Sequence, residues 1–265
     1  MNIILRELRA NRKALIIWCV AMTLFVAVGM VKYSGFANMG EEVNELMASL
    51  PEALQKAFGL GSINLTEVGG YYSMFFIYFM LIAGIHASLL GSTIISKEVR
   101  DKTADFLMVK PVTRTQVITS KIIAALINVI ILNFVTCLSS ILFVQYYNTG
   151  DSITNLIIQM NASLLIIQLI FLSLGLFISA LTRTSKKATS ISTAVLLTAY
   201  FLSIAISIYE DISFLGYLTP FYYFDAEAIM LGEGIEMIYL FIAIVIIAIS
   251  IPITYHQYRN KDLHV

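Results

Sequence analysis

The stretch LIIQMNASLLIIQLIFLSLGLFISA, residues 156–180, contains no Asp, Glu, Lys or Arg. A helix of about 20 residues crosses the ~30 Å hydrocarbon core of a bilayer, so this stretch is long enough to span it. In lipid, the backbone N–H and C=O groups must be hydrogen-bonded within the segment, which a helix achieves and an isolated strand does not. The stretch therefore predicts a transmembrane helix.

Five further apolar runs have the same character, and their interiors also lack charged residues. They cover residues 14–31, 71–95, 122–146, 188–208 and 235–255. The chain of 265 residues is 58% hydrophobic and only 13% charged, which is too apolar for a soluble domain of this size. We predict an all-α polytopic membrane protein, a single transmembrane domain over residues 1–265 with six transmembrane helices.

Lysine and arginine are unevenly distributed over the connections between these runs. All but Lys32 and Lys56 of the 17 basic residues lie near the two termini or in the connections after the second and fourth runs. Most of the 17 acidic residues lie on the other connections. Short connections rich in Lys and Arg stay in the cytoplasm. We therefore expect both termini to be cytoplasmic, with extracytoplasmic loops at residues 32–70 and 209–234.

Local patterns add expectations for the segments outside the runs. Residues 1–13 form an amphipathic pattern, which indicates an N-terminal interfacial helix or a basic flank that fixes orientation. In the first outer loop, Ser49, Pro51 and Gly59 are typical of the cap, the first turn and the end of a short helix. The aromatic residues of 209–234 are expected to anchor at the membrane interface.

Sequence motifs of catalysis and metal binding are missing. The chain contains no G-x-x-x-x-G-K-[ST] phosphate loop, no H-E-x-x-H pair and no G-x-S-x-G nucleophile setting. Cys19 and Cys137 have neither C-x-x-C nor metal-ligand spacing, and their positions make a disulfide improbable. We expect no catalytic residue, metal or cofactor in this chain, and no nucleic-acid partner.

Four polar residues lie deepest in the runs: His86, Asn128, Asn133 and Gln168. They are candidates to line a pathway through the membrane or to hydrogen-bond between helices, and both interpretations stay open. No carboxylate or lysine lies at mid-membrane, so a relay for proton-coupled or sodium-coupled transport is missing. The energy source of a transporter built this way would lie outside the chain.

The longest basic connection, residues 96–121, has the pattern of a short amphipathic helix followed by a break at Pro111. Thr113 can then cap a second helix that continues into the third run. An amphipathic helix between two spans suits insertion into a groove of a soluble partner.

This connection closely resembles the loop between spans 2 and 3 of ATP-binding-cassette (ABC) type-2 permeases. The matching residues are Glu98, Lys102, Thr103, Phe106, Leu107, Pro111, Val112, Thr113, Arg114 and Lys121. Lys102 departs from the pattern, because many members have Gly before the Thr. The outer segment LPEALQKAFG, residues 50–59, also resembles that of many bacterial members.

The resemblance implies a permease subunit of an exporter for a peptide, drug or other amphiphile in the bacterial cytoplasmic membrane. It also implies a second permease subunit, identical or paralogous, and two cytoplasmic ABC ATPase subunits that bind ATP and Mg. Residues 96–121 would be the coupling loop, with Phe106 and Leu107 filling a groove of the ATPase and Glu98 and Arg114 orienting it. A scaffold or sensor subunit that recruits an ATPase, and an intramembrane enzyme that depends on His86, remain alternatives.

Overall fold

The computed structural model describes residues 3–60, 63–96, 113–182 and 184–260, and within these ranges all regular structure is helical. The α-helices are α1 (Ile3–Met39), α2 (Glu41–Ala48), α3 (Glu52–Ala57), α4 (Val68–Ile94), α5 (Arg114–Tyr147), α6 (Thr154–Leu181), α7 (Ser185–Ile208), α8 (Ala226–Met230) and α9 (Met237–Asn260). Two 3₁₀ helices, Glu210–Leu218 and Pro220–Tyr222, lie between α7 and α8.

Six of these helices are long and apolar enough to cross a membrane: α1, α4, α5, α6, α7 and α9. Each covers most or all of one predicted apolar run. The all-α polytopic fold class is therefore confirmed, whereas the cytoplasmic position of the termini stays a prediction.

Helices α1 and α5 extend well beyond the apolar runs that predicted them. Residues 3–13, predicted as a separate interfacial helix, continue into the first span as one helix without a break. The same helix runs on through residues 32–39, which were predicted as loop, and it ends before Gly40, whose φ of 61° is left-handed. Once a helix is nucleated, each added residue gains one backbone hydrogen bond whatever its hydrophobicity, so hydropathy does not mark the ends of a helix.

Helices α4 and α6 form the centre of the bundle. Of their most apolar windows, 56% and 61% of the residues are buried, against 17% for α9. The two helices approach closely where glycines face each other: a Cβ added to Gly91 would lie 2.5 Å from the Leu172 carbonyl oxygen, and one added to Gly175 would lie 2.7 Å from that of Ser88. Small residues allow such backbone contact between membrane helices.

The short helix of the first outer loop begins later than its sequence pattern indicates. Pro51 takes the N-cap position of α3, and the Ser49 hydroxyl instead donates to the Leu46 carbonyl at 2.6 Å. The predicted end is correct. Gly59 has a φ of 63°, and Gly59 and Leu60 donate to Lys56 and Gln55, which together form a Schellman motif.

The aromatic residues between α7 and α8 fall into two groups: Tyr209, Phe214 and Tyr217 are exposed, so their anchoring at the membrane interface stays a prediction, whereas the others pack into the protein. Phe221, Tyr223 and Phe224 are buried. The Phe221 ring lies 5.2 Å from that of Phe171 in α6 and 5.5 Å from that of Tyr200 in α7. This segment therefore closes one end of the bundle.

Candidate functional site at the base of the loop between spans 2 and 3

The structure describes the two ends of the predicted coupling loop, Ser96 and residues 113–121. Most of the predicted docking residues lie outside the described residues: Glu98, Lys102, Thr103, Phe106, Leu107 and Pro111. Arg114 and Lys121 are described, and they lie where α5 meets the neighbouring helices. We call this region the loop base; it consists of Glu7, Ile94, residues 113–121, Tyr255 and Arg259.

Helix α5 begins with a capping box, as Thr113 predicts. The Thr113 hydroxyl accepts from the Gln116 amide at 3.2 Å, and the Gln116 side-chain oxygen accepts from the Thr113 amide at 3.0 Å. The two bonds provide acceptors for two backbone N–H groups that have no acceptor within the helix. The second arm of the loop therefore enters the membrane from a fixed helical terminus.

Lys121 is completely buried and ties the two arms of the loop together. Its ammonium group donates to the carbonyl oxygen of Ile94, the last residue of α4. A cation at this position also compensates the partial negative charge at the C-terminus of α4. The end of span 2 and the start of span 3 are thus joined directly by one side chain.

Glu7 supplies the negative charge of this cluster from α1. It is 2% exposed, its Oε1 lies 3.8 Å from Lys121 Nζ, and Arg6 donates to the same oxygen at 2.8 Å. Sequence reasoning did not identify Glu7. One sequence feature could have identified it: Glu7 is the single acidic residue among the basic residues of positions 1–13. An isolated acid in a cationic segment can form a buried ion pair.

Two further contacts of α5 bring α9 into the loop base. Arg114 Nη1 donates to the Arg259 carbonyl at 2.8 Å, and the hydroxyl groups of Thr119 and Tyr255 lie 2.8 Å apart. Arg114, predicted to orient an ATPase, therefore has at least one partner within its own chain. Helices α1, α4, α5 and α9 all meet at the loop base.

The four deep polar residues do not form one constellation. The Asn133 side chain donates from α5 to the Asn161 carbonyl of α6 at 3.0 Å, whereas that of Asn128 donates within α5 to Ala124 at 2.7 Å. His86 is buried, and its ring packs edge-on against Trp18 at 5.4 Å. Gln168 is fully buried, and neither of its amide atoms has a partner within the described ranges.

The polar contacts of the loop base join helices to one another. In the described part of the chain, no three His, Cys, Asp or Glu side chains are placed to hold a metal ion. The arrangement forms a mechanical connection, because buried charges and a capped helix join one loop to four spans.

A comparison with protein families identifies the family of the chain. The model for the ABC-2 family transporter protein matches residues 1–263. The chain belongs to the ABC-2 transporter family. As a member of that family with six apolar helices, it is a multi-pass membrane permease. The search of curated proteins found no match.

Proposed function

We propose that this ABC-2 protein is the permease subunit of an ATP-driven exporter, coupled through residues 96–121 to a separate cytoplasmic ATPase. The partner would bind ATP and Mg, because the chain has no phosphate-loop motif of its own. The assembly would contain two ATPase subunits and a second permease subunit, identical or paralogous, in the bacterial cytoplasmic membrane. Its substrate class would be a peptide, drug or other amphiphile.

The observation that supports this proposal is the set of contacts that joins the base of the loop to four spans. A displacement of the loop reaches α4 and α1 through Lys121, which contacts Ile94 and Glu7. It reaches α9 through Arg114 and Arg259. A rigid element transmits a rigid-body displacement, whereas a freely mobile loop would absorb it. This geometry is what an ATP-driven switch between two states of the bundle requires.

The decisive experiment removes the apolar pair that would fill the groove of the ATPase. The double variant Phe106→Ala and Leu107→Ala should insert normally, but it should lose co-purification with P-loop ATPases encoded in neighbouring open reading frames and lose coupled ATP hydrolysis. The matched control is Leu54→Ala with Phe58→Ala, which removes the same two side-chain types from exposed positions of the first outer loop, where they are 43% and 46% exposed. Full coupled activity of the Phe106 and Leu107 variant would refute the docking role.

Transport is tested separately from docking. Vesicles that contain the permease and its ATPase should move a fluorescent amphiphile when ATP is supplied, and should stop when the Phe106 and Leu107 pair is replaced. If the ATPase binds but no solute moves under any condition, the chain is a scaffold or sensor and the exporter proposal fails.

A further inference from the structure

A cavity of about 310 Å³ opens at the end of the bundle opposite the loop base. We call it the outer cavity; its lining residues come from α3, α4, α7, the segment from Phe221 to Glu236, and Tyr239 in α9. Its volume lies at the lower end of the range that small-molecule sites have. None of the motifs and contacts described above accounts for it.

The outer cavity has one apolar wall, which the spans contribute. It is formed by Met74, Ile77 and Met80 of α4 and by Ile204 of α7. Met80 lies twelve residues from the start of α4 at Val68, which corresponds to a depth of about 18 Å along the helix. The wall therefore reaches well into the apolar part of the bundle, where it could receive a hydrocarbon group.

The lining of the outer cavity also includes an acidic wall. Asp225, Glu227, Glu233 and Glu236 line it, and the one basic lining residue among those described, Lys56, has an ion pair with Glu52 at 3.0 Å. Two of the acids occupy ordered positions. Asp225 caps α8 by accepting from the Glu227 amide at 2.9 Å, and Glu233 donates its amide to the Ala228 carbonyl at 3.0 Å just beyond the end of α8. The acidic wall therefore belongs to folded structure.

Tyrosine rings also line the outer cavity. Tyr239 stacks on Tyr223, with ring centroids 5.0 Å apart and planes inclined by 10°, and Tyr222 meets Tyr239 edge-on at 6.2 Å. Tyr223 is fixed by donating its hydroxyl to the Tyr217 carbonyl at 2.7 Å. Burial, with a smaller effect of Tyr239, raises the pKa of Tyr223 to about 12, so the hydroxyl stays protonated as that donor. Neutral tyrosine faces attract organic cations.

The chemistry of the walls distinguishes between kinds of cation. A divalent metal ion needs several oxygen ligands converging on one point, and no three His, Cys, Asp or Glu side chains of the described residues are placed to hold one. Dispersed carboxylates beside aromatic faces instead suit a cation whose charge is spread over an organic group.

We infer that the outer cavity binds an organic cation with an apolar body, and that such a cationic amphiphile is the class of substrate exported. The inference that a cation binds depends on the cavity alone. The assignment of this cation as the exported substrate rests on the proposed function. The apolar body would lie against Met74, Ile77 and Met80, with the cationic group at the tyrosines and carboxylates.

The test uses phenyltrimethylammonium and the full chain in nanodiscs of zwitterionic lipid, measured by equilibrium dialysis against empty nanodiscs. The cation should bind saturably, whereas its neutral isostere tert-butylbenzene and the anion benzenesulfonate should show no saturable binding. The double variant Glu233→Gln and Glu236→Gln should bind the cation at least about fivefold more weakly, and Tyr239→Leu should have an effect of similar size.

The matched control is Glu41→Gln with Glu42→Gln, which removes the same charge from exposed positions of α2 outside the cavity lining and should leave binding unchanged. Equal affinities of the two double variants, absence of saturable cation binding, or saturable binding of the neutral or anionic probe would each overturn the inference. Because the assay contains no ATPase, its failure leaves the docking proposal intact. Conversely, a failed Phe106 and Leu107 experiment would leave cation binding intact and remove only its assignment as transport substrate.

Discussion

At the loop base, a buried carboxylate and a buried ammonium group stabilise each other. Glu7 and Lys121 are 2% and 0% exposed, and neither could be buried as a charge on its own at acceptable free energy. Replacing a buried pair by apolar residues is often neutral, but removing one partner leaves an uncompensated charge. The pair therefore makes the position of α1 depend on the arms of the coupling loop.

This dependence predicts the effect of Lys121→Met, which keeps an unbranched side chain one atom shorter and removes its charge. Glu7 then loses a buried cation and the Ile94 carbonyl loses its donor, so the free energy of unfolding should fall by about 3–5 kcal/mol. Thermal melting can be followed with a thiol-reactive dye, since the free cysteines Cys19 and Cys137 lie partly buried in spans.

The matched control is Lys13→Met, at an exposed position, which should melt close to the unchanged protein. The double variant Glu7→Leu with Lys121→Met should recover part of the lost stability, because the buried carboxylate is removed together with its buried cation, while Arg6, which also contacts Glu7, is only partly buried. If Lys121→Met melts together with Lys13→Met, the buried pair does not stabilise the fold.

Among the elements, the contact of α4 with α6 sets the geometry of the bundle. Backbone approaches backbone at Gly91 and Gly175, so no side-chain rotation can make room for an added Cβ. Leu164, Ile167 and Phe171 of α6 are buried in the same core. The two helices should therefore move together in any switch of the permease.

The close contact predicts that Gly91→Ala destabilises the fold even though alanine favours helix formation. The new methyl group would lie 2.5 Å from the Leu172 carbonyl oxygen, and overpacking of this kind costs about 1–3 kcal/mol. Gly35→Ala in α1 is the matched control, because a Cβ there meets nothing within 4 Å and alanine is favoured over glycine by about 1 kcal/mol. Heating followed by size-exclusion chromatography should show early aggregation of Gly91→Ala alone; equal behaviour of the two variants would contradict the packing.

For the whole molecule, hydropathy and charge are sufficient to predict the six spans, because a bilayer imposes the same length on every crossing. The cap at Thr113 was also predictable, since it depends on residues three positions apart. The burial of Glu7 was not, because it depends on α1 packing beside α5, and the sequence separates Glu7 from Lys121 by the whole of spans 1 and 2. The burial of Phe221 depends in the same way on distant Phe171 and Tyr200.

The orientation that the charge distribution predicts for the whole molecule is open to a direct test. In a background of Cys19→Ser and Cys137→Ser, single cysteines at Asp151 and Leu231 should react with a membrane-impermeant maleimide in intact cells, because both positions are exposed at the acidic end. Lys187→Cys, exposed at the basic end, should react only after permeabilisation, since connections rich in Lys and Arg stay cytoplasmic. Labelling of Lys187→Cys in intact cells would place the loop base outside the cytoplasm, where no ATP-dependent partner could reach it.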